Sequence, residues 1–349
     1  MSFIQLFRFN TAGNPKLLAT GDFDGNNITD IVISTTSDTY FYIYYNLNYE
    51  YQSFERITYL ESLTTSEYII VKDLNNDNNM DIFSLHTVND YMGIYFTSDN
   101  GSFHAPMYFP TGSTPSGMAV EDINCDNYTD FVVLSLNSKT FSLYYANGSN
   151  NFHTRYVIQT ENLPIDVVIA DFDQDNLVDL AITETGNQSV SFYSSYDNKN
   201  FKKKFSYSTS YIPYLIKTAD FNHDTYMDIV INSLYDPFIS IILNDGHGNF
   251  LPEIIYPTNT RPSDIDLADF NGDTHLDILV CNYGTAYLYL YMGYGNGSFA
   301  APIIITTDIG LFHAALGDFN HDGRLDIVTA SQNSQYTYQG LSLLLNLCY

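Results

Sequence analysis

"DFNGDTHLDILVCN", residues 269–282, sets four oxygen-bearing side chains, Asp269, Asn271, Asp273 and Asp277, within nine positions and then runs straight into an apolar stretch. The same nine-residue pattern recurs as "DFDGNNITD" (22–30), "DLNNDNNMD" (73–81), "DINCDNYTD" (122–130), "DFDQDNLVD" (171–179), "DFNHDTYMD" (220–228) and "DFNHDGRLD" (318–326). Its first Asp steps by 51 residues once and by 49 five times, so seven repeats consume the 349-residue chain. A fixed period of this length marks an architecture built from one supersecondary unit.

Each unit reads as four strands. An apolar stretch ends at the motif ("IDVVIA" before Asp171), a second starts inside it ("DLAIT" from Asp179), and a third, often Tyr-rich, follows a small turn ("SVSFYSSY" from Ser189). A fourth follows a Gly/Asn turn such as "NDGHGNF" (244–250) and leads into a Pro-rich connector. These are strand and tight-turn signals, and the continuously apolar second strands suit positions covered on both faces. Four-stranded units in series pack face to face as propeller blades, so the expected fold is all-β: one seven-bladed β-propeller domain over residues 1–349. The start "SFIQLFRFNTAGNP" (2–15) aligns with "SFHAPMYFPTGSTP" (102–115), a fourth strand plus connector, while the last repeat stops after its third strand, "LSLLLNLCY". The amino-terminal strand is therefore expected to complete the last blade and remove an open edge.

Composition agrees. Tyr 31 and Phe 24 against only 13 Lys plus Arg favour strands, and a formal charge of -27 argues against nucleic acid, whose binders carry a basic footprint. No apolar run approaches a membrane span, and "MSFIQLFRFN" lacks the layout of a signal peptide. Cys125, Cys281 and Cys348 lie far apart without paired spacing, which supports neither a disulfide framework nor a zinc site.

Motif positions 1, 3, 5 and 9 are Asp or Asn in all seven repeats, positions 2 and 10 are apolar, and no His or Cys recurs among the oxygens. A hard cation taking six to eight oxygens suits such a set, calcium best. One DxNxD alone would read as a turn, since Asp and Asn side chains mimic backbone hydrogen bonds; seven with a fixed fourth oxygen argue for metal. An EF-hand is excluded, because position 12 is Ile33 where a Glu is needed. The loops hold 22 of the 40 acidic residues, so seven divalent ions would take the formal charge from -27 to -13.

These loops, the "NGSF.AP" segments at 100–106 and 296–302 and the 49-residue period resemble the FG-GAP or VCBS repeats of integrin α-subunit propellers and of many secreted proteins. The resemblance covers essentially the whole chain and implies up to seven Ca2+ ions in the loops joining first and second strands, on one face. It implies side-chain ligands Asp22, Asp73, Asp122, Asp171, Asp220, Asp269 and Asp318 at position 1. At position 3 they are Asp24, Asn75, Asn124, Asp173, Asn222, Asn271 and Asn320; at position 5, Asn26, Asp77, Asp126, Asp175, Asp224, Asp273 and Asp322. At position 9 they are Asp30, Asp81, Asp130, Asp179, Asp228, Asp277 and Asp326, joined by the position 7 carbonyls of Ile28, Asn79, Tyr128, Leu177, Tyr226, His275 and Arg324. The family's Gly at position 6 survives only as Gly323; Asn27, Asn78, Asn127 and Asn176 tolerate a left-handed backbone, whereas Thr225 and Thr274 do so poorly, so sites five and six are expected to be weaker.

The function expected from the resemblance is a non-catalytic, calcium-stabilised recognition or adhesion module, extracellular and monomeric, that binds a protein or glycan on the face opposite the calcium loops. Candidate contacts there are Tyr211, Tyr214, Tyr235, Tyr336, Tyr338 and Arg261. A lectin is the alternative, since some fungal lectins resemble this propeller; the absence of Trp counts against it. An enzyme is the third reading: His223 and His321 fall at loop position 4, His275 at position 7, and none sits in a GxSxG or HExxH context. His86 and His313 read as packing or surface residues, and the Tyr-rich third strands as blade-to-blade packing with hydroxyls reaching the rim.

Overall fold

The computed structural model describes residues 3–11, 13–47, 54, 56–98, 100–148, 152–196, 200–332 and 340–347. Among them are 28 strands and no helix. After β1 (Phe3–Asn10), blade 1 comprises β2 (Pro15–Gly21), β3 (Asp30–Thr35), β4 (Tyr40–Tyr45) and β5 (Arg56–Glu61). Blade 2 is β6 (Tyr68–Lys72), β7 (Asp81–His86), β8 (Tyr91–Tyr95) and β9 (Met107–Pro110), and blade 3 is β10 (Pro115–Glu121), β11 (Asp130–Ser135), β12 (Thr140–Ala146) and β13 (Phe152–Gln159). Blade 4 follows with β14 (Pro164–Ala170), β15 (Asp179–Glu184), β16 (Ser189–Ser195) and β17 (Phe201–Ser208); blade 5 with β18 (Pro213–Ala219), β19 (Asp228–Ser233), β20 (Phe238–Ile242) and β21 (Ile254–Pro257). Blade 6 holds β22 (Pro262–Ala268), β23 (Asp277–Asn282), β24 (Tyr287–Tyr291) and β25 (Ile303–Thr306), and blade 7 holds β26 (Leu311–Gly317), β27 (Asp326–Ser331) and β28 (Gly340–Asn346).

Each blade is an antiparallel sheet in chain order, except that the outermost strand of blade 7 is β1. It pairs antiparallel with β28, from Phe3 opposite Asn346 to Asn10 opposite Gly340. The two ends of the chain thus share one blade, and each inner strand neighbours the next until β26 meets β2. The expected closure is what the structure has.

Side-chain alternation explains why the blades stack. Every second strand is buried along its length, and in β3 Ile31 and Ile33 pack into blade 7 while Val32 packs into blade 2. Seven apolar clusters result, each shared by two neighbouring blades. Tyrosines of the third strands belong to these clusters and donate outward from them, Tyr45 to Gly101 O at 2.6 Å, Tyr144 to Pro110 O at 2.7 Å and Tyr291 to Pro257 O at 2.7 Å.

A second periodic residue joins the blades. Phe3, Phe54, Phe103, Phe152, Phe201, Phe250 and Phe299, at or just before the outermost strand, carry the same 51- and 49-residue steps as the motif. Each packs on the apolar motif position 2 of the preceding blade: Phe3 on Phe270, Phe54 on Phe319, Phe103 on Phe23, Phe250 on Phe172 and Phe299 on Phe221, with ring centroids 5.6–6.3 Å apart. Phe152 shares a cluster with Leu74 and Phe201 shares one with Ile123. Replacing Phe299 by Ala therefore removes a buried contact between blades 5 and 6, and denaturant unfolding should show a loss of about 3–5 kcal/mol.

Candidate metal loops and their staple

The motif spans the turn from inner to second strand in every blade, and its position 9 Asp is the first residue of the second strand. Loop 6 shows how the chain folds there. Asp269 Oδ1 accepts the Gly272 N–H at 2.7 Å and the Asp273 N–H at 3.2 Å, while Oδ2 accepts the Thr274 N–H at 2.7 Å. Asn271 Oδ1 then accepts from Asp273 N at 2.9 Å and Asp273 Oδ1 from His275 N at 2.8 Å. Positions 1, 3 and 5 thus wind the backbone around their own oxygens, as Asx turns do.

Winding this tight takes two left-handed residues per loop. Position 6 has positive φ throughout, from 60° at Asn27 to 79° at Gly323, and Thr225 (75°) and Thr274 (71°) comply. Loops 5 and 6 keep the same contact from position 6 N–H to position 1, at 2.8 and 2.7 Å. Position 4 is left-handed as well, at Gly25, Asn76, Cys125, Gln174, His223, Gly272 and His321. Only Gly25, Gly272 and Asn76 advertise that in the sequence, which is why the motif reading overlooked it. Some position 4 side chains bridge loops: Asn76 donates to Asn127 O at 3.0 Å, Gln174 to Thr225 O at 3.2 Å, and His223 Nε2 lies 2.8 Å from His275 Nδ1.

Position 9 stands apart from the other three oxygens. In all seven blades its Oδ2 accepts the backbone N–H of motif position 2, at 2.9–3.3 Å. Its Oδ1 accepts a backbone N–H just past or at the end of the third strand, of Asn46, Thr97, Ala146, Ser195, Asn244, Gly293 and Asn346 in turn, at 2.7–3.2 Å. These carboxyls are at most 2% exposed. Each is a staple from the loop to the third strand, a role that spacing alone does not reveal. Burial, reinforced by the neighbouring loop carboxylates, pushes Asp30 up to about 8 and Asp81, Asp130, Asp179, Asp228 and Asp326 up to about 7, against the pull of their hydrogen bonds; Asp277 moves the same way.

The loops differ in how they meet a cation's needs. In loops 1 and 4 position 3 is a carboxylate, and Asp22, Asp24 and Asp30, like Asp171, Asp173 and Asp179, bring one oxygen each within 4.8 Å of one another. In loop 4, Asp171 Oδ1 and Asp173 Oδ1 are sealed from solvent and accept no hydrogen bond, while Asp173 Oδ2 takes Lys204 Nζ at 2.7 Å. Buried carboxylate oxygens without donors are costly unless a cation faces them. In loops 2, 5, 6 and 7 the position 3 amide instead donates to the position 5 carboxylate, at 2.8–3.1 Å, and in loop 7 Arg324 pairs with Asp322 as well. The donor set fits a hard divalent cation best in loops 1 and 4.

The remaining sequence candidates scatter. Tyr211 stacks on Phe238 with centroids 4.8 Å apart, Tyr235 is exposed, Arg261 lies 4.2 Å over the Tyr283 ring, and Tyr214 lines the central channel. Tyr336, Tyr338 and Cys348 lie outside the described residues. Cys125 is exposed and Cys281 buried, both as free thiols. His86 is a buried packing residue, with Nε2 2.8 Å from Ser84 Oγ and burial lowering its pKa to about 4. His313 faces the channel, 3.2 Å from Asp264.

A ring of seven four-stranded blades with an Asp-rich loop in each defines a β-propeller of the repeat type. The chain belongs to the FG-GAP-like repeat family, which matches residues 73–133, 122–182, 171–231, 220–280 and 269–329. No curated protein matches the sequence. Among solved structures it is similar to BBS1N, determined in complex with ARL6DN, at 9% identity and a TM-score of 0.72 over 99% of this chain and 97% of that one. An Agrocybe aegerita lectin that recognises non-reducing terminal N-acetylglucosamine matches at 14% identity and a TM-score of 0.58, over 96% and 91% of the two chains. A catalytically inactive virginiamycin B lyase from Staphylococcus aureus, with quinupristin, matches at 14% and 0.61, over 98% and 99%. Identities this low speak of the fold alone.

Two outcomes are expected from the loop geometry. Thr274→Gly, which relieves a β-branched residue of a left-handed backbone, should raise stability by about 1 kcal/mol in chemical denaturation. The staple carboxyls have folded-state pKa values above the ordinary 3.8, so their contribution is greatest below about pH 4 and is lost as pH rises through about 7 to 8. In chelator, the melting temperature should accordingly fall between pH 5 and pH 8.

Proposed function

We propose that this protein is a calcium-stabilised, non-catalytic recognition propeller, which binds a protein or glycan ligand on the face opposite its Asp loops. The observation that carries the metal part is loop 4: four Asp in nine residues, with two sealed carboxylate oxygens that nothing in the protein satisfies. Asp171, Asp173, Asp175, the Leu177 carbonyl and Asp179, which also staples the third strand, would hold the ion in loop 4, and Asp22, Asp24, Asn26, the Ile28 carbonyl and Asp30 would do so in loop 1. Bound calcium would supply the positive charge that lets buried carboxylates stay ionised, tying inner strand to second strand. Because a bound cation favours the ionised form of the staple carboxyl beside it, affinity should rise with pH through the range in which the staples titrate.

The recognition part rests on the opposite face. There Arg261 stacked on Tyr283 and Tyr211 stacked on Phe238 hold cationic and aromatic groups in place before a ligand arrives, and Tyr235 is exposed. Aromatic and Arg anchors of limited freedom suit a protein contact, and tyrosine rings also stack on sugars. The similar BBS1N was solved with a protein partner and the fungal lectin recognises a terminal sugar; both classes belong in the first binding screen. The proposed setting is extracellular, where calcium sites of such modules bind at about 10⁻⁴ to 10⁻³ M.

Calcium at about a hundred times its Kd should stabilise the fold by ~2.7 kcal/mol for one site, read as a rise in melting temperature that EGTA reverses. Asp173→Asn should blunt the rise more than Asn320→Asp, which adds a carboxylate to loop 7. An unchanged melting temperature in EGTA, together with a metal-free elemental analysis, would remove calcium from the proposal. For the opposite face, a glycan array and an extracellular-protein screen run in calcium should return hits that Arg261→Ala and Tyr235→Ala lose while keeping the calcium-dependent melting shift.

A further inference from the structure

The inner strands enclose a central channel of about 760 Å³, a volume in the range of small-molecule sites. The third residue before each motif faces it, and all seven stand at one level: Ala19, Ile70, Ala119, Val168, Lys217, Asp266 and Ala315 pair with the residue two past position 9 in their blades. Five of the seven are small or apolar. The exceptions, Lys217 on β18 and Asp266 on β22, are neighbours and opposite in charge.

The other charges lining the channel are engaged. Lys16 pairs with Glu67, and Lys72 with Glu121 at 3.1 Å. Asp166 accepts from Tyr68 OH at 3.2 Å, Val167 N at 3.0 Å and Ile216 N at 3.1 Å; Asp264 accepts from Ile265 N at 2.9 Å and Ala314 N at 3.2 Å, with His313 Nδ1 at 3.2 Å. Among the described residues the Lys217 and Asp266 side chains make no hydrogen bond and no ion pair within 4.0 Å, although each feels the other's charge. Burial works against the Lys217 ammonium, but Asp266, Asp264 and Asp166 outweigh it and hold the group charged. The two half-buried side chains line the channel on neighbouring strands without closing into a direct pair, so one cation and one anion are presented to whatever enters.

We infer that the channel binds a small zwitterion, whose carboxylate meets Lys217 and whose ammonium meets Asp266, against the apolar walls supplied by Ile70 and Val168. Asp166 and Asp264 leave the channel with more negative than positive charge, so a second cationic group on the ligand adds affinity. The ligand class is therefore a basic amino acid. This site is separate from the Asp loops and from the outer ligand face, and calcium occupancy does not enter into it.

The test is calorimetric titration of the full chain with L-lysine, beside 1,5-diaminopentane, which lacks the carboxylate, and L-glutamate, which lacks the second cation. L-lysine should bind most tightly, and Lys217→Met and Asp266→Asn should each weaken it by about tenfold or more. Lys217→Arg keeps the charge and should keep the binding, and the charge swap K217D/D266K should recover much of what either single change loses. A melting curve of each variant establishes that it is folded; should a single variant fail to fold, the Arg variant and the swap carry the test. Absence of L-lysine binding to the wild type overturns the proposal. So does undiminished binding in folded Lys217→Met and Asp266→Asn, or 1,5-diaminopentane binding as tightly as L-lysine.

Discussion

One carboxylate per blade holds this ring in register. The position 9 Asp ties the loop to the end of the third strand through two backbone N–H groups, and it does so without exposure to water. Those two N–H groups would otherwise be buried without acceptors at the point where the sheet edge meets the loop, a cost of ~1–3 kcal/mol each. Fixing them fixes motif position 2, because its N–H is one of the pair. Position 2 is in turn the apolar seat for the Phe of the next blade. Its carbonyl is a second seat: Asn46 donates to Phe319 O at 3.0 Å, Asn244 to Phe172 O at 2.8 Å and Asn346 to Phe270 O at 3.0 Å. The chain of dependence therefore runs from a staple inside one blade to a latch between two.

Much of this was legible in the sequence, for a physical reason. A propeller repeats one local problem, so each solution recurs at the repeat length, and the 49-residue step of the first Asp was enough to count blades and assign four strands to each. Closure was legible because "SFIQLFRFN" carries a fourth-strand pattern with no first three strands before it. What spacing could not resolve is the division of labour among the oxygens. Asp171 and Asp179 are the same residue type at the ends of one motif, yet one organises backbone turns and the other bridges strands. That distinction depends on the third strand, which lies 16 residues away in most blades.

The Phe latch was visible by period but hidden by its context. In "NGSF" it reads as the end of a turn, and nothing within the repeat says that its ring belongs to the preceding blade. Left-handed position 4 was hidden for the opposite reason. Cys125, Gln174, His223 and His321 carry no local preference for that backbone, and tertiary winding around the position 1 carboxylate imposes it. The polar pair in the channel is visible only once the inner strands are laid in register, because Lys217 and Asp266 become exceptions only against five small or apolar equivalents.

The staple also bears on what the negative charge is for. Seven nearly dry carboxyls, each beside two or three further loop acids, put the metal-free ring in conflict: ionised they repel and lack solvation, protonated they lose the strength of charged acceptors. Hydrogen bonds from two N–H groups offset part of that conflict, and the upward pKa shifts say that they do not offset all of it. Position 3 decides what is left. An Asn there satisfies position 5 through its amide, as Asn222 does for Asp224, and the loop settles its own charge. An Asp there adds an acceptor to a loop already short of donors, as Asp173 does, and the nearest protein cation, Lys204, covers only one of its oxygens. Loop 4 is thus where two loop carboxylate oxygens stay without a donor, and the four loops whose Asn amide reaches position 5 show that the ring does not need that everywhere.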